Sequence, residues 1–209
     1  RLLAVQTLGQ IRHSEIVPLV LQVVDDDDPQ VRTIALEALS SFHSPEITQV
    51  LVHALKDLTV PVRRVAVSGL GFCHPDDAQA FDLVAQLRPL LFDLNLEVCR
   101  QSAIALGRLG TSTAIAALSE VLTAPHTPEA LAIEIIRALG WSNKIEGLKA
   151  LQTAFLNSNL TERCQLEILT VLGRVEQLKL NASEILLTLL QSGLIQSHAG
   201  LQAIALSLG

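Results

Sequence analysis

The stretch Asp28-Pro29-Gln30-Val31-Arg32-Thr33-Ile34-Ala35-Leu36-Glu37-Ala38-Leu39 returns 31 residues later as Val60-Pro61-Val62-Arg63-Arg64-Val65-Ala66-Val67-Ser68-Gly69-Leu70-Gly71, preceded by Thr59. Both copies open on a residue type that caps helices and carry Pro in the first turn. Apolar residues then recur at the three- and four-residue spacing of an amphipathic helix. In the first copy Val31, Ile34, Ala35, Ala38 and Leu39 share a face. The closing Leu is a landmark for the whole chain. A Leu-Gly pair, or a near match, stands at Leu8-Gly9, Leu39-Ser40, Leu70-Gly71, Leu106-Gly107, Leu139-Gly140, Leu172-Gly173 and Leu208-Gly209, at intervals of 31, 31, 36, 33, 33 and 36 residues.

Aligned on that Leu, further columns emerge. Four residues earlier stand Ala4, Ala35, Ala66, Ser102, Ile135, Ile168 and Ile204, all small or apolar. Eleven earlier stand Asp28, Thr59, Asn95, Pro128, Thr161 and Ser197. Five of these six are capping types, and Pro128 follows Thr127, which predicts Pro at the first helical position. Each unit therefore reads as two helices. Helix A runs from the cap to the Leu, where Gly suits a left-handed C-terminus. Helix B follows a short turn, as at Glu46–Leu55 and Ala114–Leu122. A lone hairpin of this kind leaves its apolar face open, so neighbours must stack. The expectation is an all-α, right-handed α-solenoid spanning 1–209 as a single array: about six hairpins plus a final A helix, with about fourteen residues or fewer per helix.

Composition agrees with that reading. Of 209 residues, 49% are hydrophobic, 17% charged and 3% aromatic, with no Tyr and no Met. Mean hydropathy is +0.42. Such a chain is too apolar for disorder, yet no run of about 18 residues is apolar enough for a membrane span. A net charge of −6 with four Lys gives no basic groove for nucleic acid. Cys73, Cys99 and Cys164 are widely spaced and odd in number, which fits free thiols in a reducing compartment, the cytoplasm or a plastid stroma.

Tetratricopeptide repeats share the period but need recurring Trp and Tyr, and ankyrin repeats need T-P-L-H, which is absent. The two quoted segments resemble instead the short HEAT-like repeat of the phycobilisome-lyase family, whose helix A reads roughly D-x-x-V-R-x-x-A-x-x-A-L-G. The resemblance covers nearly the whole chain. It is strong in the first four units and weaker afterwards, where Ala132, Gln165 and Leu201 stand in place of the Arg; the fourth unit shifts it from Cys99 to Arg100. The resemblance implies several roles: subunits that attach or detach bilins on phycobiliproteins, adaptors for degrading the same antenna, or scaffolds elsewhere. The repeat itself specifies architecture rather than function.

The residues with chemical potential have structural readings beside them. The Arg column (Arg1, Arg32, Arg63, Arg100) is expected to pair with Asp at the preceding inter-repeat turn: Asp27 or Asp28, Asp57 and Asp93. Asp25-Asp26-Asp27-Asp28 lacks the spaced carboxylates, Gly and distant Glu of a calcium loop, and reads as a turn that caps the next helix. Cys73-His74 is the nearest approach to a reactive pair, but Cys73 aligns with Ile11, Phe42, Leu109 and Val175, an apolar column, and is expected to be a buried, inert thiol. The sequence offers no catalytic set, no metal site and no cofactor site.

One column is unusual. Two residues after each landmark come Gln10, Ser41, Phe72, Arg108, Trp141 and Arg174. The early members are polar, so the position should face solvent, and Phe, Trp and Arg there are hot-spot types. The column reads as a protein-docking edge, as an internal cation–π ladder, or as coincidence. A second candidate surface is the concave face of the B helices, with Gln49, His53, Gln86 and Arg88, then Glu120, Lys149 and Gln152. The function expected first is a non-catalytic scaffold or adaptor for another protein; the alternative is a bilin lyase or phycobiliprotein-handling subunit acting with a partner chain. That partner would be a phycobiliprotein or a second HEAT-like subunit. The chain starts at Arg1 within a helix A and stops after another. Neither end has a polar cap, so these residues are expected to continue into a longer polypeptide or to be covered by another subunit.

Overall fold

The computed structural model describes residues 2–11, 13–157, 160–195 and 197–208, and the side chains of all of these except 157, 207 and 208. Arg1 and Gly209, named above, lie outside the described residues. The fold is an all-α solenoid of helical hairpins, with no strand among the described residues. Two compact units divide it, residues 1–105 and 106–209.

The first unit holds α1 (Leu2–Ile11), α2 (Val17–Leu21), α3 (Pro29–Leu39), α4 (Pro45–Ala54), α5 (Val60–Leu70), α6 (Pro75–Ala80) and α7 (Leu83–Leu87). The A helices stack in order, α1 on α3 and α3 on α5, with the B helix α4 against α5. Helix α8 (Leu96–Leu109) runs across the boundary. The second unit continues with α9 (Ser112–Thr123), α10 (Glu129–Trp141), α11 (Ile145–Asn157), α12 (Glu162–Arg174), α13 (Lys179–Gln191) and α14 (His198–Leu208). There A packs on A (α10 on α12, α12 on α14), and B packs on B (α9 on α11, α11 on α13).

The landmark column is the core. Leu39, Leu70, Leu106, Leu139 and Leu172 are buried, as are Ala35, Ala66, Ile135, Ile168 and Ile204 four positions before the landmark. Ser102 breaks the apolar pattern without harm, because its buried hydroxyl donates to the carbonyl of Leu87 at 2.8 Å. The caps follow sequence in four of six cases: Asp28, Asn95, Thr161 and Ser197 each accept a first-turn N–H. Thr59 differs because its own N–H and hydroxyl donate to Asp57 Oδ1, at 2.7 and 2.6 Å. Pro128 also departs from expectation. It is the capping residue itself rather than the first helical residue, and the Thr127 hydroxyl donates to the Val121 carbonyl.

The glycine after the landmark does not end the helix in a left-handed turn. Gly71 sits at φ −68°, and α8, α10 and α12 run through Gly107, Gly140 and Gly173. Positive φ occurs at Gly110 and Gly193 instead. The physical reason for Gly at this column is close approach between successive A helices. A Cβ on Gly107 would stand 2.7 Å from Ala138 Cβ and 2.9 Å from its Cα, and one on Gly71 would stand 3.0 Å from Ala105 Cα. The facing residue lies one position before the next landmark. Where Ser40 replaces the Gly, that facing residue becomes Gly69, whose added Cβ would meet Ser40 Oγ at 2.6 Å. The contact accepts one side chain, on either helix.

Two of the three B regions of the first unit depart from the regular hairpin, and α4 does not. α2 has five residues after a 3-10 turn at Ser14–Ile16. The third hairpin, inside the 36-residue interval, has its B region split into α6, α7 and a 3-10 turn at Arg88–Phe92. Asp82 at φ 43° separates the first two pieces, and Pro89, which has no N–H to donate, stops α7 from continuing.

Candidate docking surfaces

The Arg column forms a ladder that runs forward, not backward. Arg32 Nε and Nη2 donate to the Asp57 carboxylate at 2.9 and 3.1 Å, while Nη1 donates to the carbonyls of Asp26 and Asp27 at 2.8 and 3.2 Å. Arg63 repeats this on the Asp93 carboxylate at 2.8 and 2.9 Å and on the carbonyls of Asp57 and Leu58. The preceding turn thus supplies carbonyls and the following turn the carboxylate, which corrects the pairing expected from sequence. The reason is reach: an Arg in the second turn of helix A lies over its own entry turn, where backbone oxygens face it. The carboxylate it reaches belongs to the next turn, where Asp57 and Asp93 also accept from the Thr59 and Asn95 N–H groups. Burial alone would raise the Asp57 and Asp93 carboxyls, but hydrogen bonds from Arg32, Thr59, Arg63 and Asn95 outweigh it and hold both below the ordinary carboxylate value.

At the fourth unit the ladder changes. Cys99 takes the Arg position, and its thiol contacts the Asp93 carbonyl at 3.1 Å; Arg100 pairs with Glu97 at 2.9 Å. The Asp run is a capped turn, with Asp26 Oδ1 accepting from Asp28 N–H and Asp28 Oδ1 from Gln30 N–H. Cys73 is half-buried, and burial together with the nearby Asp77 pushes its thiol up, away from nucleophilic character. His74 is occupied as the cap of α6, its Nδ1 accepting from Asp76 N–H at 3.3 Å.

The post-landmark column lies at the surface. Phe72 is 55% and Trp141 64% exposed, and Arg108 and Arg174 are also exposed. Phe72 belongs to the first unit and the other three to the second. In the second unit Trp141 and Arg174 line one groove of about 670 Å³, floored by Gly140, Thr170 and Val171. At its side Arg137 donates to Glu167 at 2.7 Å and Glu134 at 3.1 Å. Arg108 is not among the groove's lining residues. This groove therefore has an aromatic wall, a cation and an ion pair in place. It has no nucleophile with a base beside it.

Of the four B-helix candidates, Gln49 and His53 line a second groove of about 640 Å³ in the first unit, with Asp25, Glu46 and Lys56. It opens between α4 and the turn after α2, where a full-length B helix would otherwise reach. Gln86 on α7 and Arg88 at the following 3-10 turn are exposed but do not line it. Sequence reasoning passed over a further group. Leu58 and Leu94, in successive inter-repeat turns, are fully exposed, and Phe92 is largely so. The signal was available in the alignment: both Leu stand twelve residues before a landmark, where the first turn has Asp27. Among the described residues, no helix is long and apolar enough to cross a membrane.

The HEAT repeats profile matches residues 1–71 and 54–133, well over half of the chain. The chain belongs to the HEAT-repeat family. The "Uncharacterized phycocyanin operon protein Z" of Pseudanabaena tenuis is 28% identical to this HEAT-repeat protein over 159 residues, 76% of this chain and 63% of the relative. The chain thus spans less than two thirds of that relative's length. The complex of CpcE and CpcF of phycocyanin lyase from Nostoc sp. PCC7120 gives a TM-score of 0.57 at 23% identity, covering 65% of this chain and 86% of that one. A designed armadillo repeat protein gives 0.53 at 17% identity, over 92% of this chain and 98% of its own. Both likenesses are of fold. The HEAT repeats, the lyase-complex fold and the operon relative agree with the phycobilisome-lyase-type resemblance read from the repeat sequence.

Proposed function

We propose that this chain is a HEAT-repeat scaffold or adaptor that docks another protein, with the groove walled by Trp141 and Arg174 as a principal contact. The observation that carries this reading is the exposed indole of the single Trp beside an exposed guanidinium, in a chain only 3% aromatic. Aromatic and Arg side chains dominate interface energetics when a partner desolvates them. Arg108, exposed at the same repeat position in the second unit, extends the contact set.

A second reading is favoured by the phycocyanin operon relative and the phycocyanin lyase fold. In it the chain acts as a bilin lyase or phycobiliprotein-handling subunit with a partner chain, in a reducing compartment. The test is calorimetry against an apo-phycobiliprotein and against a second HEAT-like subunit, with Trp141→Ala and Arg108→Ala as variants. A loss of about 2 kcal/mol, roughly 30-fold in Kd, is expected for Trp141→Ala. Unchanged affinity in the folded double variant removes this surface. Phycocyanobilin is then added: a visible absorbance change favours the second reading, and a flat spectrum with tight protein binding favours the scaffold.

A further inference from the structure

A different edge of the first unit bears a second pattern. Arg32 and Arg63 tie three successive inter-repeat turns together: Arg32 spans Asp26–Asp27 and Asp57, and Arg63 spans Asp57–Leu58 and Asp93. The residue at the same register in each turn is Asp27, Leu58 and Leu94. All three are exposed. The turns are fixed from within as well. Thr59 N–H and hydroxyl donate to Asp57, Asn95 N–H donates to Asp93 at 2.8 Å, and Asn95 caps Glu97. A single exposed Leu is ordinary on a protein surface. Two at one register, on turns clamped by a shared guanidinium and beside the exposed Phe92, form an apolar edge held in place before anything binds. Pre-ordered groups lose little entropy on association. Phe92 and Leu94 also close the repeat with the longer, 36-residue interval, and such insertions tend to mark a solenoid's binding side.

We propose that the turn edge of Leu58, Phe92 and Leu94, with Asp25, Asp27 and Asp28 at its first turn, docks a partner protein's helix that is apolar on one face and basic at one end. Spacing and charge support the commitment. Adjacent repeats lie about 8–10 Å apart, close to the roughly 10 Å between residues i and i+7 on a helix. Leu58 and Leu94 therefore meet one stripe of such a helix. The exposed carboxylates of Asp25, Asp27 and Asp28 stand at the turn before Leu58, so the basic residues of the partner belong at that end. Lys56, exposed beside the second turn, leaves the negative field strongest at the first.

The experiment uses the full chain and two synthetic amphipathic peptides of about 18 residues, one Leu/Lys and one Leu/Glu of the same pattern. Calorimetry at low salt is expected to detect binding of the Leu/Lys peptide. Leu58→Ser with Leu94→Ser is expected to weaken it about tenfold or more, and Asp25→Asn with Asp27→Asn about threefold with a flatter salt dependence. The Trp141→Ala variant is expected to bind this peptide normally, so failure here is distinct from failure of the groove reading. No Leu/Lys binding, equal binding by the Leu58/Leu94 variant, or equal binding of the Leu/Glu peptide overturns the proposal. So does sedimentation showing self-association that the Leu substitutions abolish, because the occupant is then a second copy. Both Leu are exposed, so the melting temperature should not move; Leu58→Gln and Leu94→Gln as single variants serve if the double melts early.

Discussion

The two units use one repeat but fasten it differently. In the first, the inter-repeat turns are the fasteners: each guanidinium holds two carbonyls behind it and a carboxylate ahead, with Asp57 and Asp93 nearly enclosed. In the second, the corresponding positions are Ala132, Gln165 and Leu201, and the ion pairs join successive A helices on their faces and at their first turns. Arg137 joins Glu134 and Glu167, and Glu129 receives the Thr161 hydroxyl and Arg163. The B regions change in parallel, from a five-residue helix, a continuous ten-residue one and a split one to continuous helices of 12 or 13 residues. Full B helices bury Leu118, Leu148, Leu151 and Leu186 against their neighbours, and burial of each such side chain supplies about 2 kcal/mol. Turn ladders and ion pairs between successive A helices are thus alternative ways of joining repeats.

The sharpest way to break this contrast is Arg63→Leu. It leaves the largely buried Asp93 without its guanidinium and should cost about 3 kcal/mol, with hydrogen-exchange protection lost first in residues 1–105. The double change Arg63→Leu, Asp93→Leu should recover most of that loss, because the stranded charge is gone. Acid should mimic the single change. The Asp57 and Asp93 carboxyls titrate below their unfolded value, so their contribution is complete above about pH 4 and is lost as pH falls through the depressed folded values. A stability profile flat between about pH 5 and 3 would contradict the ladder.

A smaller effect tests the feature both units share. Gly107→Ala places a methyl against the Ala138 backbone and should cost about 2 kcal/mol by denaturant melt. Adding Ala138→Gly should restore most of it, reproducing by design the exchange seen at Ser40 and Gly69. Least of all is expected from Arg163→Ala. That Arg is three-quarters exposed and its pair with Glu129 is a surface one, so under about 0.5 kcal/mol should be lost. A larger loss would mean that the second unit also depends on its turns.

Much of this was legible in advance. The landmark Leu, the small residues four positions before it and the caps at Asp28, Asn95, Thr161 and Ser197 follow from periodicity and capping chemistry, which act within a dozen residues. The surface position of Phe72 and Trp141 followed from the polar Gln10 and Ser41 at the same register. The partner of each Arg did not follow, since turns on both sides offer acids and which of them faces the guanidinium depends on how the repeats stack. Nor did the break at Asp82, where a left-handed backbone is adopted by a residue that only mildly favours it.

Sequence alone determined the period, the hairpin unit and the core columns, because these rest on local periodicity repeated until coincidence is excluded. Tertiary structure decided why Gly follows the landmark, which carboxylate each guanidinium reaches, and which apolar residues stay uncovered. Those outcomes depend on how closely one A helix approaches the next and on which turn lies beside which. Such distances between residues about 30 apart in the chain are set only when the repeats stack.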